Sequence, residues 1–332
     1  MKRRICALFT AAMLLCGCAA QPQKRQAMWY DWFDTVATLV AYTDEETFAA
    51  MQALTAETLA FYHRQYDIYH TYDGVNNLCT VNEAKGEPMA VDDAILDLLA
   101  LAAEMYDLTD GRLNVALGNV LALWHEARET KILPTDGALQ AAAAHTDIAG
   151  LRIDTDAKTV QLADPDLRLD VGAVAKGYAV EQTALALIAA GFDNFALNVG
   201  GNVRVVGVLP DGRDWTVGIQ DPDGDGYLCR VALTDATVAT SGSYQRFVDI
   251  GGVRYHHIID KNTLYPAKGF TSVSVIAPDS GVADALSTAL FCMPLDEGRA
   301  LVDSLDGVEA LWLDTEGVIT MTDRFPTIGD AP

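Results

Sequence analysis

Apolar residues follow two rhythms along this chain, and the change between them marks its organisation. Behind the acids Asp44-Glu45-Glu46, residues Phe48, Met51, Leu54, Leu59 and Phe61 recur near helical spacing. That predicts a long helix toward Tyr69, since carboxylates favour a helix's first turn. Asp92-Asp93 opens a second helix through Leu98 and Leu101 to Met105. Leu169-Asp170-Val171-Gly172-Ala173-Val174-Ala175-Lys176-Gly177-Tyr178 reads as a strand, a tight turn and a helix running to Gly191. From Phe195 the apolar runs shorten. Residues 195–199, 203–208, 215–219 and 227–233 are predicted strands split by Gly, Pro and Asp turns, together a β-meander. Residues 247–250 and 253–259 form a hairpin across Gly251-Gly252, and 272–277 a buried strand leading into a helix that carries Asp284. A helix over 296–305 and a strand pair near Leu311 and Val318 close the chain. The expected class is α+β, with mixed or antiparallel sheets and flanking helices.

With 332 residues, half of them hydrophobic, the chain can bury a sizeable core in one large domain or two. Its 46 acidic and 23 basic residues give a formal net charge of −23. Nucleic acid is therefore not an expected partner, and an anionic ligand needs a local cation. The amino terminus sets the expected compartment. Lys2-Arg3-Arg4, an apolar run over 5–15 and then Cys16-Gly17-Cys18 have the form of a bacterial secretory leader ending in a lipobox. Residues 1–17 are the expected signal peptide, Cys18 the lipidated first mature residue, 18–28 a tether and 29–325 the folded domain. Cys16 is disfavoured by the large Leu15 before it; ordinary cleavage at Ala19-Ala20 and a short membrane anchor are the alternatives. The apolar run is short for a transmembrane helix. This reading places the protein at the cell membrane, lipid-anchored and facing the periplasm or the cell exterior. Cys79, Cys229 and Cys292 lack metal spacing, and their odd number leaves at least one free thiol.

Candidate chemistry collects around Asp284, Ser287 and Thr288, which stand at i, i+3 and i+4 of their predicted helix and so put three oxygen donors on one face. Hard cations such as Mg²⁺ select oxygen ligands. Taken alone, the triplet is better explained by the preference of Asp for a helix N-terminus, with Ser287 and Thr288 incidental. The 169–178 junction supplies what it lacks: a turn carbonyl near Gly172-Ala173 for a metal, a helix N-terminus for an anion, and Lys176 as a point charge for phosphate. Thr240-Ser241-Gly242-Ser243-Tyr244 and His256-His257-Ile258-Ile259-Asp260 lie close by in sequence, and together these segments read as a metal-assisted phosphate site. Successive strand residues point to opposite faces, so only one of His256 and His257 can face that site. Asp221-Pro222-Asp223-Gly224-Asp225-Gly226 imitates an EF-hand loop, but Ala232 stands where the bidentate acid belongs, so a turn between strands is expected. No segment spells Gly-x-Gly-x-x-Gly or a P-loop, which excludes a Rossmann-type hold on a dinucleotide.

The 169–178 junction and the Asp284 helix are the most specific marks of a wider likeness: from about Phe33 to Thr322 the chain resembles the ApbE family, the FAD:protein FMN transferases. Phe33-Asp34-Thr35 stands at the family's first element, Tyr72 through Asn82 at its next, and Leu108-Thr109-Asp110-Gly111-Arg112-Leu113-Asn114 at its Asp-Gly-Ala-Phe-Asp element, followed by a helix containing Trp124. The chain departs from the pattern at Asn114 (a family Asp), Asn76-Asn77 (a usual Ser-Glu) and Lys261 (a common Pro). A neutral amide at 114 can donate where a carboxylate only accepts.

The resemblance implies a single ApbE-type domain that transfers FMN from FAD, through a phosphoester bond, to a Thr or Ser hydroxyl of a partner flavoprotein and releases AMP. The implied partner carries an FMN-binding domain and belongs to a membrane electron-transport complex. Mg²⁺ would be held by the Ala173 carbonyl, Asp284 and Thr288, with Ser287 as a fourth ligand. Phe33, Tyr72, Arg112, Leu113, Asn114, Asp170, Lys176 and Ile259 would line the FAD site, Lys176 adding positive charge at the phosphates. The family motif puts His257, rather than His256, on the acceptor side as general base. An FAD pyrophosphatase using water as acceptor and a non-catalytic FAD-binding lipoprotein would use the same pocket; a purely structural lipoprotein would reduce the motifs to turns and caps.

Overall fold

The structure is a computed structural model that describes residues 23–329. The leader, Cys18 and the start of the expected tether lie outside the described residues. The remainder of that tether is instead part of the domain. Strand β1 (Gln23–Trp32) pairs antiparallel with β2 (Thr35–Thr43), from Gln23↔Thr43 to Trp32↔Thr35. Ala27, paired with Leu39 of β2, is its one buried residue, which leaves little apolar alternation beside Lys24, Arg25 and Gln26 to announce a strand.

Helix α1 (Glu45–Tyr66) starts at the expected place, where the Asp44 carboxylate accepts the Thr47 N–H at 2.9 Å. It stops short of Tyr69 because Asp67 Oδ1 accepts the N–H groups of Tyr69 and His70, at 2.7 and 3.0 Å, and turns the chain. There follow α2 (Leu78–Glu83), capped by Asn77, β3 (Met89–Ala90), and α3 (Asp93–Leu108), capped by Asp92 as its acids predict. Then come α4 (Gly118–Thr130), α5 (Asp136–Ala143), β4 (Leu151–Asp154) and β5 (Thr159–Leu162), the two strands joining β3 in a small sheet of order β3-β5-β4.

The strand expected at 169–171 is not one. Asn82 Oδ1 accepts the Leu169 N–H at 2.8 Å, Asn82 Nδ2 donates to the Leu169 carbonyl at 3.0 Å, and the Asp170 N–H reaches the Val115 carbonyl at 2.8 Å. A side-chain amide thus satisfies backbone groups that would otherwise need a neighbouring strand. Helix α6 (Ala175–Ala189) then begins as expected.

The chain continues through β6 (Phe195–Val199), β7 (Asn202–Val206), β8 (Trp215–Gln220), β9 (Tyr227–Leu233), β10 (Thr237–Gly242), β11 (Phe247–Ile250), β12 (Val253–His256), β13 (Phe270–Ala277), α7 (Ser280–Phe291), α8 (Leu295–Asp303), β14 (Glu309–Asp314) and β15 (Ile319–Met321). Eight strands form one antiparallel sheet of order β1-β2-β6-β7-β10-β13-β14-β15. The expected meander is broken within it: β7 pairs with β10, while β8 and β9 pair as a separate hairpin joined by the Asp221–Gly226 turn. Burial explains the departure. Trp215, Ile219, Val231 and Leu233 of that hairpin pack with Val205, Val238, Ile276 and Leu311 of the large sheet into a second core. Val275 and Ile276, neighbours on β13, sit in different cores, as strand alternation requires. The other face carries the main core, where α7 lies against β10, β13 and α6, and α6 against α1. Cys79, Cys229 and Cys292 are buried free thiols. Among the described residues no helix is long and apolar enough to cross a membrane.

Candidate metal and phosphate site

The site begins where α6 crosses α7. A Cβ on Gly177 would lie 2.2 Å from the Ser280 carbonyl oxygen and 2.4 Å from Asp284 Cβ, so only glycine allows this approach. The buried Asp284 carboxylate uses the closeness: its Oδ2 accepts the Gly177 N–H at 2.9 Å. In a regular helix that N–H would serve the Ala173 carbonyl, four residues back. Among the described residues no hydrogen bond reaches the Ala173 oxygen. Asp284 Oδ2 also lies 3.5 Å from Lys176 Nζ, which donates to the Gly172 carbonyl at 3.1 Å. One turn along α7, the Ser287 hydroxyl donates to the Asp284 carbonyl (2.9 Å) and meets Ser241 Oγ of β10 at 2.8 Å. Thr288 Oγ1 lies 3.1 Å from the same Ser241 oxygen. A carboxylate, a carbonyl with no donor and three hydroxyls make an all-oxygen set that suits Mg²⁺, with Lys176 as the nearby cation. Another convergent group, His145, Asp164 and Asp166, belongs to the segments around β4 and β5, where His145 Nδ1 and Asp164 Oδ2 pair at 2.7 Å.

The two adjacent histidines differ in their partners, and strand alternation does not govern the pair, because β12 ends at His256. His256 is buried, its Nε2 donates to the Ala267 carbonyl at 2.9 Å and its Nδ1 accepts the Ile258 N–H at 3.2 Å. Both ring nitrogens are occupied, and the ring packs edge-on against Phe291. His257 Nδ1 lies 3.2 Å from the Arg246 carbonyl, which can only accept, so Nδ1 carries the proton and Nε2 keeps its lone pair. Burial pushes this imidazole down to about 3, helped by the charges of Lys176, Arg246 and Arg128, so it is neutral at physiological pH.

The remaining expected contacts are spread around this centre. Phe33 sits at the tip of the β1–β2 turn, its ring edge-on to His63. The Tyr72 hydroxyl donates to Asp67 Oδ2 at 2.8 Å; partial burial and that bond push the phenol up to about 12. Asp170 Oδ1 accepts the Gly172 N–H at 2.9 Å and shapes the turn before α6. Leu113 and Ile259 have core side chains, so what they offer a ligand is backbone. Asn114 accepts the Ala116 N–H (2.9 Å) and donates to the Thr146 carbonyl (3.0 Å), a bond an ionised aspartate could not make. Arg112 donates to the Cys292 carbonyl at 3.2 Å and walls a cavity of about 560 Å³ with Asp260, Lys268 and Met293. That cavity starts one turn of α7 beyond Thr288.

Carboxylate, hydroxyls, carbonyl and lysine therefore converge through contacts made by segments far apart in the chain. The ApbE family model matches residues 33–312. The chain belongs to the ApbE family. Among ApbE relatives, the FAD:protein FMN transferase of Treponema pallidum (strain Nichols) is 32% identical over 321 residues, covering 90% of this chain and 88% of that protein. The Vibrio cholerae FAD:protein FMN transferase is 31% identical over 271 residues, 80% of each. The crystal structure of the ApbE protein from Thermotoga maritima superposes with a TM-score of 0.82 at 29% identity, covering 91% of this chain and 98% of the other. Flavin transferase ApbE from Vibrio cholerae gives 0.78 at 27% identity, with 90% and 97% covered.

Within the ApbE domain, several groups at the site escaped the motif reading. Ser241 lies inside a segment the sequence had singled out, yet its role as the hydroxyl joining Ser287 and Thr288 needs β10 beside α7. Tyr69, its ring tilted against that of His125 at 5.4 Å, and Arg128, 3.1 Å from His125 Nδ1, come from a post-helix turn and from α4, and no spacing links them to His257. Lys261, at the family's proline, donates to the Asp110 carbonyl and ties the histidine segment to the 108–114 turn.

Proposed function

We propose that this chain is an Mg²⁺-dependent FAD:protein FMN transferase. The observation that carries the reading is the Gly177 N–H turned from the Ala173 carbonyl to Asp284, which leaves a carbonyl oxygen without a donor beside a buried carboxylate. The names of the Treponema and Vibrio relatives support it. Ala173, Asp284 and Thr288, with Ser287, would hold the ion, which when bound would neutralise charge on the FAD pyrophosphate. Lys176 binds the same phosphates from the α6 side. His257 Nε2 takes the proton from the acceptor Thr or Ser hydroxyl as its oxygen bonds to the FMN phosphorus; the bond from that phosphorus to the bridging oxygen breaks, and AMP leaves with it. The turn at Phe33, with Tyr72 nearby in the Asp67 network, receives one end of FAD, and the cavity walled by Arg112 and Asp260 the other.

The acceptor is a flavoprotein with an FMN-binding domain in a membrane electron-transport complex, reached by a transferase anchored through Cys18 on the extracytoplasmic side. The leader pattern of residues 1–18 supports this anchoring. Because β1 already starts at Gln23, the stretch from Cys18 spans at most roughly 17 Å, which keeps the domain close to the lipid surface. Incubating the purified protein with FAD and Mg²⁺, with and without an acceptor domain, and weighing the products tests the reading. Acceptor carrying FMN with matching AMP is expected. Free FMN and AMP in equal amounts, whether or not acceptor is present, would replace transferase by pyrophosphatase, and uncleaved FAD would leave only a binding protein.

A further inference from the structure

Arg246 touches two parts of the proposed site at once, and no motif assigns it a role. Its backbone carbonyl accepts from His257 twice, from the N–H at 3.1 Å and from ring Nδ1 at 3.2 Å. Its guanidinium reaches across to the β1–β2 turn, where Nη2 lies 3.5 Å from the Phe33 carbonyl and 3.3 Å from that of Asp34. The guanidinium makes no ion pair among the described residues, although acids outnumber bases two to one in this chain. Its donors are directed at the turn instead.

That turn is strained. Trp32 pairs with Thr35, so Phe33 and Asp34 are the two central residues of a tight hairpin, and their φ angles are 55° and 49°. Two-residue hairpins with positive φ at both positions favour Asn-Gly or Gly-Gly, because a Cβ in the left-handed region clashes with its own backbone. A bulky Phe there persists only where its surroundings hold it. The holding contacts are visible: the Phe33 N–H donates to His63 Nδ1 at 3.4 Å, the Phe33 ring packs edge-on to His63, and Arg246 Nη2 is shared between both turn carbonyls.

We propose that Arg246 is a positioning residue that clamps the strained Phe33-Asp34 turn with its guanidinium while its carbonyl fixes the His257 ring with Nε2 free, so that one residue sets the flavin-side contact relative to the base. The proposal rests on the FMN-transferase reading. It requires that Arg246 act through the turn and not as a simple phosphate counter-charge, and the two roles separate in a double-mutant cycle. Arg246→Ala and Arg246→Lys are made in the wild-type chain and in an Asp34→Gly background, where glycine relieves the strain at that position. FAD binding is followed by flavin fluorescence, and KM for FAD and kcat by AMP release with an acceptor domain.

Arg246→Ala is expected to raise KM for FAD by about tenfold, the equivalent of one charge-assisted hydrogen bond, with a smaller fall in kcat. Arg246→Lys should recover part of it. In the Asp34→Gly background the same Arg246→Ala change should raise KM by less than about threefold, because a relaxed turn depends less on the clamp. Equal losses in both backgrounds, or no change in KM in either, would overturn the clamp while leaving the transferase reading in place. Failure of the wild-type chain to bind FAD would overturn the transferase reading, and the clamp with it.

Discussion

Gly177→Ala is the sharpest test of how the site is built, because it adds one methyl group and removes no ligand. The new Cβ would stand 2.2 Å from the Ser280 oxygen, against an ordinary contact of at least 3.4 Å, so α6 and α7 must separate by about 1 Å. The Gly177 N–H to Asp284 Oδ2 distance, now 2.9 Å, would then stretch beyond a normal hydrogen bond. Overpacking costs about 1–3 kcal/mol, and weakening a hydrogen bond to a charged group adds about 1.5 kcal/mol. A total of about 3 kcal/mol leaves a domain of this size folded, with the melting temperature down by roughly 6–12 °C. The functional effect should be larger, since about 1 Å of misplacement near reacting groups costs on the order of 100-fold in rate. The assay is FMN transfer at limiting Mg²⁺, beside thermal unfolding. Gly137→Ala serves as control: it lies in α5 with nothing within 4 Å of the added Cβ and should be neutral or slightly stabilising. Wild-type transfer by Gly177→Ala, or a melting temperature matching that of Gly137→Ala, would refute the argument that this helix crossing aligns Asp284 with the Ala173 carbonyl.

Asp284→Ala removes the one carboxylate of the oxygen set and should abolish transfer at limiting Mg²⁺ while circular dichroism stays native; near-normal activity would dismiss α7 as the metal helix. His257→Ala should slow single-turnover transfer by ~10²–10⁴-fold with FAD still bound, whereas His256→Ala, which unpairs the Ala267 carbonyl inside the core, should lower stability more than rate; the reverse pattern would exchange their roles. Burial holds His257 at about 3, below its unfolded value, so the unfolded chain protonates first and His257 makes stability fall as pH drops from about 6.5 toward 3; His257→Gln should flatten that part of the urea-midpoint profile, and identical profiles would refute the burial argument. Cys18→Ser should block lipidation and leave an uncleaved precursor, and intact-mass measurement of a wild-type mature terminus at Ala19 or beyond would refute the anchor.

Helices were legible where charge and periodicity agreed. Asp44 and Asp92 cap α1 and α3 through the side-chain bonds their position suggested, since an N-cap is a local interaction between neighbours in sequence. Strands were legible one at a time but not in their pairing. The apolar runs of β8 and β9 look like those of β6 and β7, yet they bury against the opposite face of the large sheet, and nothing local distinguishes the two destinations. β1 escaped notice because Ala27 alone of its ten residues is buried, which leaves no apolar alternation to mark it.

The chemistry divides along the same line between local and long-range causes. Asp284, Ser287 and Thr288 share a helix, so their common face follows from spacing alone. The Ala173 carbonyl left without a donor does not: it depends on Gly177 giving its N–H to a residue more than a hundred positions away, a contact that exists only once α6 and α7 cross. Likewise strand alternation says only that one of His256 and His257 can face the site, and the family motif points to His257; the structure adds that the Ala267 carbonyl and the Ile258 N–H use both nitrogens of His256, while the Arg246 carbonyl uses only one nitrogen of His257. A base needs a free lone pair, and partners rather than strand parity determine which imidazole keeps one. The site therefore depends on tertiary hydrogen bonds that redirect ordinary backbone groups, and substitutions at Gly177, Arg246 and Asp34, none of which supplies a proposed ligand to metal or FAD, should disturb transfer through geometry.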